Sequence, residues 1–295
     1  MTTRSRPLLL AILFVVALPC APRAATRSPD AAWDSVTAIL QAKDAFASGY
    51  HRFNLPRRDI KLLVGDITVA PELAQGAWAG FSDDSADAML MGDLVLTSAE
   101  LRPVLAELAR QGLGVTAIHN HLVGEEPRLV YVHLSGHGRA VDLARRLDRA
   151  LALTATPRPV TAAADTPLAI DTSLVFRGLG RSGRAHGRVA QVSFILVPGA
   201  VTMDGMTVTP ALGYASPVNV QAVDGTRAVA TGDFAVRGEK VQPILQAFAA
   251  HGITATAVHT HMIGESPTIY FIHFWADAPL ARVVEGLRAV IDVAR

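Results

Sequence analysis

The chain has 295 residues, half of them apolar, with 27 basic against 26 acidic side chains and a single cysteine. So even a charge balance gives no electrostatic basis for binding nucleic acid or an anionic surface. A lone Cys20 excludes an intrachain disulfide and a thiolate metal cluster.

Read in chain order, the first feature is an apolar run over residues 8–18 behind Arg4 and Arg6. It is too short to span a bilayer as a mature helix and suits a cleaved export signal over residues 1–25. The mature chain is therefore expected to be periplasmic, or attached to a membrane on its extracytoplasmic side with Cys20 as a candidate lipid anchor. No later stretch is apolar enough for a transmembrane domain, and loss of Arg4 and Arg6 leaves 25 basic residues against 26 acidic.

A first domain is expected over residues 30–152. Strands near 60–69 precede a strand at 88–96, and Thr97-Ser98-Ala99-Glu100 has the spacing of a capping box that opens a helix. That helix carries Leu101, Leu105 and Leu108 on one side and stops at Gly112, with Pro103 expected to kink it or delay its start. Strands at 115–118 and 128–134 and a helix over 139–151 complete a β-α-β-β-α unit. An Ala/Thr/Pro-rich linker over 153–167 leads to a second domain at 168–295, with strands at 229–236, 254–262 and 268–274 and helices at 241–250 and 279–293.

The second domain is a copy of the first. His119, His121, Glu125 and His133 recur 140 positions later as His259, His261, Glu265 and His273. Gly92-Asp93, Pro103, Gly112, Gly124 and Pro127 keep the same offset to Gly232-Asp233, Pro243, Gly252, Gly264 and Pro267. Residues with unrelated chemistry that share one register report a structural unit used twice. The expected fold is α+β, a tandem duplication with His-bearing β-hairpins forming a pseudo-two-fold pair.

Six of the ten histidines fall in the two equivalent triplets. On a strand, residues two apart face the same way, so His119 and His121 project together about 7 Å apart, and His133 on the returning strand shares their face. A single strand histidine is usually a hydrogen-bonded structural residue, but two organised triplets, each with a glutamate at the hairpin tip, suit a metal. The expected ligands are His119, His121, His133 and Glu125, and His259, His261, His273 and Glu265, with Glu125 either a fourth ligand or an orienting partner. Imidazoles with a carboxylate favour zinc among divalent transition metals and also accept copper, manganese, nickel or iron. Gly124, Pro127, Gly264 and Pro267 read as turn-shaping residues, and Asp93 and Asp233 as loop caps or outer acids. His137 reads as exposed, and His51, His186 and His251 have no organised neighbours.

Met91-Gly92-Asp93, the His119-Asn120-His121 pair with Glu125, Pro127, Arg128 and His133, and His273-Phe274-Trp275-Ala276 with Gly286-Leu287-Arg288 resemble the LppY/LpqO family of exported bacterial proteins. The resemblance covers nearly all of the mature chain and implies export, a duplicated domain and importance of the His/Glu motif. Thr260 and Thr268 depart from the pattern set by Asn120 and Arg128. The HxHxxxE spacing is also similar to a cupin metal motif, but helices between the strands argue against that barrel.

Three classes stay open. One is a metal-dependent enzyme with Glu125 or Glu126 as general base and Arg128 anchoring a small anionic or carbohydrate-type substrate. The others are a metal-binding or sequestering protein and a structural module. No nucleophile elbow, phosphate loop or dinucleotide fingerprint is present. The partner is an unidentified small molecule.

Overall fold

The computed structural model describes residues 31–161, 170–186 and 188–295; the expected export signal, Cys20 and residues 162–167 of the expected linker lie outside them. The first repeat runs α1 (Ala31–Leu40), β1 (Asp44–Ala47), β2 (Tyr50–Asn54), β3 (Leu62–Val64), β4 (Ile67–Val69), α2 (Pro71–Ala74), β5 (Trp78–Ser82), β6 (Ala88–Thr97), α3 (Ser98–Arg110), β7 (Gly114–His119), β8 (Glu125–Glu126), β9 (Leu129–Gly138) and α4 (Ala140–Leu151). The second runs α5 (Thr172–Leu179), β10 (Arg184–His186), β11 (Val189–Phe194), β12 (Val201–Met203), β13 (Met206–Val208), a wide turn at Pro210–Tyr214, β14 (Ser216–Ala222), β15 (Arg227–Val236), α6 (Gly238–Ala250), β16 (Thr254–His259), β17 (Tyr270–Pro279) and α7 (Leu280–Ala294). The fold is α+β and duplicated, and the β-α-β-β-α unit recurs as β6-α3-β7-β9-α4 and β15-α6-β16-β17-α7.

Each repeat builds a six-stranded antiparallel sheet, ordered β1-β2-β5-β6-β9-β7 and β10-β11-β14-β15-β17-β16. The central ladders pair Ala88–Thr97 with Leu129–Gly138 and Arg227–Val236 with Tyr270–Pro279. Side chains alternate across these strands. Even positions of β6 and β9 turn to the helices, where Gly136 lies against Leu143 of α4 and beside Leu90. Odd positions, including Met89, Met91, Asp93 and His133, turn the other way, and Met91 meets Gly213 of the second repeat.

That odd-numbered face is covered by the opposite repeat. The arm formed by β3, β4 and α2 reaches across to β14: Ala70 N–H donates to Gln221 Oε1 at 2.7 Å, Gln221 Nε2 donates to the Thr68 carbonyl at 2.9 Å, and Asn219 Nδ2 donates to the Leu73 carbonyl at 3.3 Å. In return, the arm from β12 to Tyr214 lies over the first sheet. There Val201, Met203, Val208, Leu212 and Tyr214 form one core with Tyr50, Met89 and Met91. A Cβ on Gly80 would come within 2.8 Å of Leu212 Cδ1, so glycine permits that approach.

Helix α3 starts at Ser98 as its sequence predicts, with the Thr97–Glu100 capping box formed. Pro103 neither delays nor ends it. The pyrrolidine removes one backbone donor, and burial of Val104 and Leu108 holds the helix together. Residues 153–161 are tied to the first repeat rather than free-standing: Ala155 N–H donates to Glu100, Val160 N–H to the Gln41 carbonyl, and Arg58 to the Thr161 carbonyl. Among the described residues no helix is long and apolar enough to cross a membrane.

Candidate metal centre

The two edge strands β7 and β16 approach each other where the repeats meet. Each is bulged at one residue, between Val115 and Ala117 and between Ala255 and Ala257. A bulge re-aims the extra residue. The extra residues, Thr116 and Thr256, donate reciprocally: Thr116 Oγ1 to the His261 carbonyl and Thr256 Oγ1 to the His121 carbonyl, each at 2.6 Å. Asn120 adds bonds from Nδ2 to the carbonyls of Leu122 and Thr256. Leu122 and Met262 are buried just beyond, which fixes the segments that carry His121 and His261.

These contacts bring all six motif histidines into one cluster instead of two separate sites. His119 and His259 stack with centroids 3.8 Å apart. His121 is sandwiched between Tyr131 of its own repeat, at 3.5 Å, and His273 of the other, at 4.1 Å. His261 repeats the arrangement between Phe271 at 3.3 Å and His133 at 3.7 Å. The expected hairpin face, with His119, His121 and His133 side by side on one sheet, is thus corrected. β7 ends at His119, and His121 lies past the strand, turned toward the other repeat.

Two carboxylates complete the cluster. Asp93 lies directly opposite His133 in the β6–β9 ladder, and Asp233 opposite His273 in the β15–β17 ladder. Asp93 Oδ2 is 3.8 Å from both His121 Nε2 and His133 Nε2. Asp233 touches Nδ1 of His273. In each of three donor sets the ligand atoms lie within 4.8 Å of one another: Asp93–His119–His133, His121–Asp233–His273, and His119–His259–His261–His273, which shares one residue with each of the others.

The electrostatics favour neutral imidazoles. Burial first, and neighbouring imidazoles second, hold His121, His133 and His261 well below the usual histidine range. His119 is lowered by the same causes, and His259 is pushed down to about 4 by burial and then by His273. Burial, followed by the charge of Asp233, pushes the Asp93 carboxyl well up, with Arg52 opposing. His259 Nδ1 faces the Thr260 carbonyl at 3.1 Å and His273 Nδ1 the Gly232 carbonyl at 3.2 Å. In that tautomer the N–H is spent on the backbone and Nε2 offers a lone pair. The Nε2 atoms of all six histidines, and Oδ1 of Asp93, are buried without a hydrogen-bond partner in the protein. Lone pairs aimed at one another without a donor are costly, and a cation between them removes the cost. The donor set therefore fits a divalent transition ion.

Glu125 and Glu265 are not brought into the donor sets. Glu125 accepts from Leu129 N–H at 3.3 Å and Glu265 from Ile269 N–H at 3.0 Å, so each closes the loop that follows its histidine pair. Glu126 and Arg128 are exposed on the same loop. His137 pairs with Asp87 at 3.0 Å in an exposed position. His51, which has no motif neighbours in the sequence, is organised after all: it is fully buried, stacked on Trp33 at 3.6 Å, with Asp44 at 2.8 Å on Nδ1 and Asp83 at 3.0 Å on Nε2. Asp93 and Asp233 are the residues whose weight the sequence understates. Their signal is that they keep the 140-residue register of the histidines.

A family model described as Domain of Unknown Function (DUF1259) matches this chain twice, over residues 34–153 and 174–293. The chain belongs to that family. Both matches contain one histidine triplet and its aspartate. No curated protein matches the chain. Among solved structures, a double-ringed trimeric shell protein from the RMM microcompartment is similar at 14% identity, covering 71% of this chain and 83% of its own, with a TM-score of 0.19. A score that low carries no argument about fold or function.

Proposed function

We propose that this protein binds a divalent transition metal, zinc favoured, in a composite centre built by both repeats, and that metal binding rather than turnover of a large substrate is its primary role. The observation that carries the reading is the set of six imidazole Nε2 atoms, buried among two aspartates and unpartnered within the protein. Copper, manganese, nickel and iron remain chemically compatible with the donors.

Access favours binding over catalysis on a sugar or an extended anion. His119, His121, His259 and Asp233 are only partly exposed, and the other four donors are buried. The apolar run behind Arg4 and Arg6 supports placing this activity outside the cytoplasm.

Elemental analysis of purified, tag-free protein offered zinc, manganese, copper and nickel in turn tests the reading. Retention of stoichiometric metal is expected, and less than about 0.2 ion per chain for every metal would overturn it. Chelation should also lower the thermal midpoint, since each ion bound at a hundredfold excess over its Kd stabilises the fold by about 2.7 kcal/mol.

A further inference from the structure

We infer that the centre holds two ions, each gripped by the aspartate and strand histidine of one repeat together with the loop histidine of the other; this rests on the metal-binding reading above. Two of the donor sets, Asp93–His119–His133 and His121–Asp233–His273, share no residue. They are therefore able to hold two ions at once. The second set already crosses between repeats, because His121 belongs to the first repeat and Asp233 and His273 to the second.

The 140-residue correspondence completes both sets. His261 is the counterpart of His121 and stacks on His133 as His121 stacks on His273, so it joins Asp93, His119 and His133. His259 is the counterpart of His119 and joins Asp233, His273 and His121. Each ion then has three imidazoles and one carboxylate, which suits tetrahedral zinc. All eight donors are used, and each ion fastens one repeat to the other.

The competing arrangement is one ion on the four-imidazole set His119–His259–His261–His273. That set contains neither aspartate. It leaves Asp93, 5% exposed with Oδ1 unpartnered, without a ligated cation, and Asp233 paired only with a histidine side chain. An uncompensated buried carboxylate is among the costlier things a fold can contain. Two dications set against two aspartates remove that cost, and one ion on four neutral imidazoles does not.

The test counts ions on the full chain. Zinc titration followed by dialysis and elemental analysis should give two equivalents per chain. One equivalent overturns the two-ion centre and leaves metal binding intact, and none overturns both. Paired variants test the exchange of His121: the double variant Asp233→Ala/His121→Ala, confined to one site, should keep one ion, whereas Asp93→Ala/His121→Ala should keep none. The reverse pattern would show that His121 serves its own repeat. Should either variant fail to fold by circular dichroism, the wild-type protein loaded with Cu(II) decides on ion number. A half-field electron paramagnetic resonance transition from coupled ions is expected, and an isolated mononuclear spectrum at saturation overturns the proposal.

Discussion

Where the repeats touch, one position after another matches: Tyr131 stacks on His121 as Phe271 does on His261, Asp93 faces His133 as Asp233 faces His273, and Thr116 and Thr256 donate hydrogen bonds of equal length to the carbonyls of His261 and His121. At the outer strands the likeness ends. The ladder Phe53–Ala79–Gly92 corresponds to Val192–Val218–Gly232, which sets Ala190 where the first repeat has His51. In the first repeat that position is a ring clamped between Asp44 and Asp83 over Trp33; in the second it is an alanine in an apolar core. Two copies of one fold tolerate different solutions to packing far from the centre, and close to it they keep the same donor residues, with Asn120 replaced by Thr260 as the nearby departure.

The largest contrast between the copies is expected at that outer position. His51→Ala removes the stack on Trp33 and strips the buried side of Asp44 of its imidazole, which should cost about 2–3 kcal/mol in urea unfolding. Ala190→Gly, confined to an apolar strand, should cost about 1 kcal/mol. Equal losses would mean that the His51 clamp contributes nothing beyond its volume.

At the centre the opposite result is expected, namely equality. Thr116→Val and Thr256→Val each delete one 2.6 Å bond to a histidine carbonyl. Each should cost about 1 kcal/mol. A difference between them larger than about 0.5 kcal/mol, the usual limit of additivity, would show that the repeats are not equivalent where they meet.

The smallest effect concerns acid. Glu100 is partly desolvated, which alone would raise its pKa, but hydrogen bonds from Arg57 and from the N–H groups of Ala155 and Thr97 outweigh this and leave it lowered. A carboxylate with a depressed folded-state pKa contributes stability above its unfolded value and loses it as pH falls through the folded one. The counterpart in the second repeat is Lys240, which donates to the Val293 carbonyl. Glu100→Gln should therefore remove part of the stability near neutral pH and flatten its decline below about pH 4.5, by less than about 1 kcal/mol after solvent screening. An unchanged acid limb would show that Arg57 and Glu100 gain nothing from each other.

The fold was largely legible because the repeat supplies its own alignment. Thr97 with Glu100 marks the start of α3, and Gly112 its end. What could not be read was direction at the ends of short strands. Strand alternation puts His121 beside His119 only if β7 continues for two more residues, and Thr116, spent on a bulge, and Asn120, bonded to Thr256, turn the chain out of the sheet instead. The same difficulty hid the roles of the acids. Glu125 is nearer to the histidines in sequence, yet its loop turns the carboxylate onto Leu129 N–H, and Asp93, forty residues from His133, arrives beside it through the ladder.

The crossed arms bear on ancestry. Thr68, Ala70 and Leu73 are held by Gln221 and Asn219, and Leu212 lies over Gly80, so neither sheet covers its own odd-numbered face. A chain with only one such unit would leave that face and three imidazoles in water until it met another molecule of itself. The forerunner of this protein would then have been an arm-swapped homodimer, its six histidines gathered about a true two-fold axis, and joining two copies end to end would turn a concentration-dependent assembly into one set by the length of a tether.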